Sequence, residues 1–297
     1  MTDRLRVAVL GPGGVGGLMA ALLARSGDSV VVLAGDSTAH EIESRGIQVE
    51  SGRFGNFTAT PRAATHLSEP VDAVLVTVKA THLEEAAKRV PPAALGDAIV
   101  VPFLNGLEHV DVLRRIYGVD RVVPATMRIE STRIAPGEIR HTSALAGIEI
   151  GSKGAAVAER LRAAGFDAKI RDDEKQMLWE KFVFLAPMAL LTTEARANVG
   201  VIRTDRRADL VALFEEVSSI ARAEGVAIDP ASVLRFFDAI PPSMESSMQR
   251  DQAAGRPLEI DALGHSLLRR AAKAGVKVPV TRRLVERIES RSASRSA

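Results

Sequence analysis

Leu5-Arg6-Val7-Ala8-Val9-Leu10 is a short β-rich run that stops at Gly11-Pro12-Gly13-Gly14-Val15-Gly16-Gly17. An alanine- and leucine-rich stretch follows to about Arg25. Strand, glycine turn and helix in that order constrain the fold more than any other feature. Gly11, Gly13 and Gly16 stand at the spacing of a dinucleotide loop. The first permits a tight turn, the second lets a pyrophosphate approach the backbone, and the third allows close helix packing. The phosphates then rest on the helix N-terminus, beside Gly14 and Val15. A glycine triplet alone is weak evidence. This one opens the chain, follows a strand, precedes a helix and leads to a second strand at Ser29–Ala34, which is the context that gives it meaning.

The end of that second strand normally reads the adenosine ribose. An acid there binds the diol of NAD, whereas an arginine accommodates the 2′-phosphate of NADP. The chain offers Gly35 and Asp36. Asp36 either reads the ribose or caps a helix near His40–Arg45, with Ser37 and Thr38 as rival caps. Further strands are predicted at Gly46–Glu50 and Phe57–Thr60 as a hairpin, then at Val71–Val78, Ala98–Phe103 and Arg121–Pro124. Lys79 and Asn105 close two of them, and ligands bind beyond the carboxyl ends of strands in a doubly wound sheet. Each alone reads equally as a loop charge or an Asn-Gly turn. Ala125–Ile150, with its Pro136-Gly137 turn, reads as a β-ribbon extending the sheet. A helix near Ala155–Ala164 and a strand near Phe166–Ile170 complete a domain over residues 1–170.

At 297 residues, two domains are the default. Without cysteine, disulfides and thiolate chemistry are excluded, which fits a reducing cytoplasmic setting. The six histidines show no ligand spacing, so no metal is expected. A formal net charge of +2, without a basic stripe, gives no support for nucleic acid. No apolar run reaches membrane-spanning length. The polar tail Ser290–Ala297 is expected to fray.

Residues 171–297 read as helical: about Asp172–Leu191, Arg206–Glu224, Pro230–Ala239, Ser243–Ala254 and Leu258–Ala274, with Gly225 and Gly275 as stops. Lys181 is the anomaly. Met177, Leu178, Phe184 and Leu185, three and four places away, are all apolar, so an ammonium projects from a face expected to be buried. It either snorkels to water or serves as a proton donor. Glu259, in the first turn of the last of these helices, is favoured there by the helix dipole alone. Ser247 reads as an ordinary exposed helix serine.

Five segments occur in an order that resembles the ketopantoate reductase (2-dehydropantoate 2-reductase) family. They are Gly11–Gly16, Val76–Lys79, Leu104–Gly106, Leu178–Lys181, and Ser246–Asp251 with Gly255–Asp261. The resemblance runs nearly end to end. It implies a Rossmann-type α/β domain followed by an all-helical substrate and dimerisation domain, with the active site in the cleft between them. It implies NADPH-dependent reduction of a 2-keto acid, ketopantoate to pantoate in pantothenate biosynthesis. Lys181 matches the general acid, Glu259 the ligand of the substrate hydroxyl, and Ser247 and Asn105 groups that hold the substrate. Lys79 matches the lysine beside the nicotinamide, and Asn105 also borders the cofactor. A homodimer is plausible on the same grounds.

Two departures stand out. Leu185 and Ala189 replace asparagines that bind substrate in the family, which leaves a more apolar 2-keto acid open. Gly35 replaces the arginine that reads NADP, so NAD is possible and the expected NADPH preference is weak unless Arg53 or Arg45 folds over the site. A cofactor-binding sensor without chemistry is the reading from another class; retention of both Lys181 and Glu259 argues against it.

Overall fold

The structure, a computed structural model, describes residues 4–296, with side chains as far as Arg291. It divides into two compact units: residues 1–104 with 109–177, and residues 105–108 with 178–297.

The first unit opens with β1 (Arg6–Leu10), α1 (Gly14–Arg25), β2 (Ser29–Leu33) and α2 (Asp36–Arg45). Next come β3 (Ile47–Ser51), β4 (Phe57–Ala59), β5 (Arg62–Ala64), β6 (Ala73–Val76), α3 (Leu83–Ala87), β7 (Ile99–Pro102) and α4 (Glu108–Tyr117). Strands β5-β2-β1-β6-β7 form one sheet, with every pairing parallel. From Val7 to Leu10 the central strand is buried on both faces, as a parallel sheet covered by helices requires. This is the Rossmann-type core that the glycine motif predicts. The segment expected as a strand at Arg121–Pro124 contributes only a parallel bridge between Val100 and Val122. The short β5 has no signal of its own in the sequence; it gains its identity by pairing with β2.

The ribbon expectation is corrected. β8 (Ala125–Arg128), β9 (Ser131–Ala135), β10 (Glu138–His141) and β11 (Gly147–Gly151) do not extend the parallel sheet. β9 and β10 join the β3/β4 hairpin in a four-stranded sheet ordered β4-β3-β10-β9. β8 and β11 join β12 (Asp167–Arg171), which follows α5 (Ala155–Ala163), in a three-stranded one. The cause is long-range. β10 pairs in parallel with β3, and Ser51 and His141 at the end of that register share a buried hydrogen bond of 2.9 Å. A pairing between segments so distant in sequence leaves no local trace.

The second unit is helical: most of α6 (Glu174–Ala195), then α7 (Val199–Asp205), α8 (Arg207–Ala223), α9 (Pro230–Ala239), α10 (Ser247–Ala253), α11 (Ser266–Ala274) and α12 (Pro279–Ser296). Trp179, Phe182, Phe214 and Phe237 are fully buried at its core. α7 and α12 were not expected from the sequence. α12 runs where fraying was expected, and Ala297 lies outside the described residues. Glu216 accepts from the Val280 and Thr281 amides and so caps its start, while Leu284, Val285 and Ile288 are buried. Anchoring of this kind lets the helix propagate through polar sequence. Among the described residues no helix is long and apolar enough to cross a membrane.

Candidate active site

Lys181, Asn105 and Glu259 come from three separate segments and form one chain of hydrogen bonds within the second unit. Lys181 Nζ donates to Asn105 Oδ1 at 3.1 Å, and Asn105 Nδ2 donates to Glu259 Oε2 at 3.4 Å. The amide can face only one way here. Its acceptor oxygen meets the ammonium, and its donor nitrogen meets the carboxylate. The amide thereby links the cation to the anion.

Each position has a local cause. Asn105 stands beyond β7, but the turn that carries it packs with the helices. Gly106 has φ +95°, which favours glycine, and a Cβ there would lie a tight 3.1 Å from Ala262 O. Arg269 fastens the segment by bonding both Glu108 and Asp261, and its guanidinium holds the Asp261 carboxyl below the usual carboxylate range.

Glu259 is 5% exposed and stands just before a π-helical turn, Asp261–His265, that precedes α11. The continuous helix expected from Leu258 is thus interrupted where Ala262 meets the Asn105 turn; π-turns often occur at functional sites. The loop leading into it is shaped by Asp251. This buried carboxylate accepts from Arg256 Nε at 2.8 Å, and its backbone carbonyl accepts from the Arg256 amide. At the start of α10 the buried cap is Ser246, which accepts from the Gln249 amide and from Thr192 Oγ1. Ser247 is exposed on the first turn, outside the Lys181–Asn105–Glu259 chain.

The face around Lys181 is more open than its neighbours suggested. Met177 is fully buried, yet Leu178, Phe184 and Leu185 are half-buried, as is Lys181. Burial instead falls on Phe182 and Val183, on the other side of α6. Of the two positions lacking asparagine, only Leu185 lies on the open face; Ala189 is 1% exposed. Phe184 packs edge-on against Phe236 of α9 at 5.0 Å, and Phe236 is 52% exposed.

The glycine loop lies in the first unit, between β1 and α1. A Cβ at Gly14 would strike Ser131 O, and one at Gly16 would strike Thr77 and Gly11 O. At Gly17 it would meet Ile139 Cδ1 at 2.5 Å. Gly13 alone in the loop has no protein atom within 4 Å of such a Cβ. The loop thus presents open space at Gly13, in front of the free amides of the first turn of α1, where Gly14 and Val15 are half-buried. These features suit a pyrophosphate. Thr77, not singled out by the sequence, donates to Leu10 O and Gly11 O at 3.0 and 2.8 Å and fixes the turn.

Gly35, not Asp36, Ser37 or Thr38, is the N-cap of α2, so the helix begins earlier than expected. Asp36 occupies its first turn and is exposed. Lys79 is half-buried, three residues past the end of β6, at the start of a 3₁₀ turn. The two arginines considered as alternative readers of the phosphate are engaged elsewhere. Arg53 bonds Ala144 O, Gly165 O and Asp167, and Arg45 pairs with Glu41 at the far end of α2. No cluster of side chains suited to a metal occurs among the described residues.

Two family models match. One described as "Ketopantoate reductase PanE/ApbA" covers residues 7–155, and one described as "Ketopantoate reductase PanE/ApbA C terminal" covers residues 173–292. The chain belongs to the ketopantoate reductase family. Like the rest of that family, it is an oxidoreductase built from a parallel-sheet α/β region and a helical C-terminal region. It is 30% identical to a 2-dehydropantoate 2-reductase of Caulobacter vibrioides, across 94% of this chain and 96% of that one. A crystal structure of a PanE/ApbA family ketopantoate reductase from Ralstonia eutropha JMP134 superposes with a TM-score of 0.89 at 29% identity, covering 98% and 99% of the two chains. The ternary structure of D-mandelate dehydrogenase with NADH and anilino(oxo)acetate superposes with a TM-score of 0.90, covering 98% and 99%. At 20% identity that likeness shows a shared fold. The ketopantoate reductase family is NADPH-dependent and acts on 2-keto acids.

Proposed function

We propose that this ketopantoate reductase family member reduces ketopantoate to pantoate with NADPH. The observation that carries the reading is the Lys181–Asn105–Glu259 chain, which sets a proton donor and a hydroxyl-binding carboxylate on one amide. The reduced nicotinamide nucleotide, when bound, supplies the hydride. Gly11, Gly13, Gly14, Val15 and Gly16 would hold its phosphates, Asp36 would face its adenosine ribose, and Lys79 and Asn105 would border its nicotinamide half. In this division, residues 1–170 serve the nucleotide and residues 171–297 the substrate.

Lys181 has two tasks. Its ammonium stabilises the negative charge that grows on the ketone oxygen and then delivers the proton. Asn105 aims the ammonium through Oδ1 and steadies Glu259 through Nδ2. Glu259 accepts a hydrogen bond from the substrate hydroxyl, and Ser247 supplies a further polar contact.

A second reading, a 2-keto acid with a larger apolar side chain, draws on Leu185 and on Phe184 with the exposed Phe236. Steady-state NADPH oxidation separates the two. Ketopantoate is expected to show the higher kcat/KM; a higher value for an aryl or long-chain 2-keto acid without the hydroxyl would establish the second reading instead. Glu259→Ala sharpens the comparison. It is expected to raise KM for ketopantoate by roughly 10- to 100-fold, the scale of a hydrogen bond to a charged group, while leaving KM for a hydroxyl-free keto acid nearly unchanged. An equal effect on both substrates would remove Glu259 from hydroxyl recognition.

A further inference from the structure

Arg89 arrives at the end of β2 from a different part of the first unit. Its Nη1 donates to Ala34 O and to Thr65 O, both at 2.9 Å, and so bridges the carboxyl ends of β2 and β5. Its Nη2 lies 3.8 Å from where a Cβ of Gly35 would stand. Among the described residues, Nη2 and Nε make no hydrogen bond to protein, and the side chain is half-buried.

The guanidinium is held in place from below. Arg89 O accepts from the Leu67 amide at 2.8 Å. The buried Tyr117 hydroxyl of α4 bonds Ala87 O and Val90 O, the residues on either side of the Lys88-Arg89 pair, at 3.2 and 3.1 Å. Desolvation pushes the Tyr117 pKa up to about 12, so this hydroxyl remains a donor throughout the physiological range. A cation fixed by its backbone and by one half of its fork, with the other half open, is preorganised for an anion.

We propose that Arg89 is the specificity-determining cation for the 2′-phosphate of NADPH in this chain, taking from the α3 side the place that Gly35 leaves without a side chain. The inference rests on the reading that a nicotinamide nucleotide binds the Gly11–Gly16 loop. The absence of a side chain at position 35 is then what gives the phosphate access to Nη2. The Asp36 carboxylate, one residue further on, opposes the phosphate and favours a free diol, so the net NADPH preference is modest and Arg89 carries it.

The test is a fluorescence titration of the full chain with NADPH and, separately, NADH. The wild type is expected to bind both, NADPH several-fold more tightly. Arg89→Gln should weaken NADPH by roughly 10- to 100-fold, the worth of a charge-assisted contact, and leave NADH within a few-fold, so that the preference reverses. Equal weakening of both nucleotides would mean that Arg89 only braces the strand ends, and would overturn the proposal. Arg89→Lys keeps the charge but loses the fork. It should retain part of the selectivity, and it decides the matter if circular dichroism shows the Gln variant unfolded. A Lys variant with an unchanged NADPH-to-NADH ratio would also overturn the proposal. Binding of neither nucleotide by the wild type would bring down the nucleotide reading itself, a result distinct from selectivity that survives the loss of Arg89.

Discussion

Lys181→Ala is expected to lower kcat by roughly 100-fold or more while NADPH affinity stays unchanged, the usual scale for removal of a general acid. The fold should tolerate the change. Lys181 is half-buried on the open face of α6, alanine has the highest helix propensity, and the core contacts of Phe182 and Val183 lie on the other side. What is lost is the ammonium that donates to Asn105 Oδ1. A 100-fold loss corresponds to about 2.7 kcal/mol of transition-state stabilisation. Single-turnover and steady-state NADPH oxidation, with a nucleotide titration on the same preparation, separate chemistry from binding. Lys181→Met is the companion variant, since it keeps the stem without the charge. Turnover within a few-fold of wild type in both would remove Lys181 from the chemistry.

Gly13→Val is expected to abolish nucleotide binding, by at least roughly 100-fold if the phosphate contacts to the first-turn amides are lost, with thermal stability close to wild type. The structure supplies both halves of that expectation. A Cβ at Gly13 meets no protein atom within 4 Å, and φ is −70°, so a side chain can start there without a clash at its first carbon and without a strained φ. Its methyl groups would stand in front of the helix N-terminus, where the proposed pyrophosphate would rest. Gly16→Val provides the contrast, because a side chain there overlaps Thr77 and the Gly11 carbonyl and should destabilise the protein itself. A folded Gly13→Val protein that binds NADPH normally would show that the loop does not hold the phosphates.

Local order carried much of the fold. The β1–glycine–α1 unit, the hairpin of β3 and β4, and the glycine stops after α8 and α11 were legible because each rests on neighbouring residues: a turn chemistry, an alternation, a cap. The helix expected at Pro230–Ala239 has those bounds in the structure, where Asp229 caps it and Pro stands at its first position, both local features. β5, α7 and α12 were not legible. Each is short or polar, and each is fixed by a partner far away in the chain, β2 for the first and Glu216 for the start of the last.

The candidate site divides in the same way. The sequence by itself singled out the candidate residues, because a lysine among apolar neighbours and a glycine loop after a strand are visible without coordinates. Only the tertiary structure decided which of them meet. It brought Asn105 to Lys181 and Glu259 through the close approach of Gly106 to Ala262, left Ser247 outside that chain, and assigned the bare end of β2 to Arg89 rather than Arg53 or Arg45. The physical reason is that hydrogen bonds and charge contacts between side chains depend on distances of about 3 Å. Residues separated by 55 positions, as Ala34 and Arg89 are, reach that distance only when the sheet and its crossovers have folded.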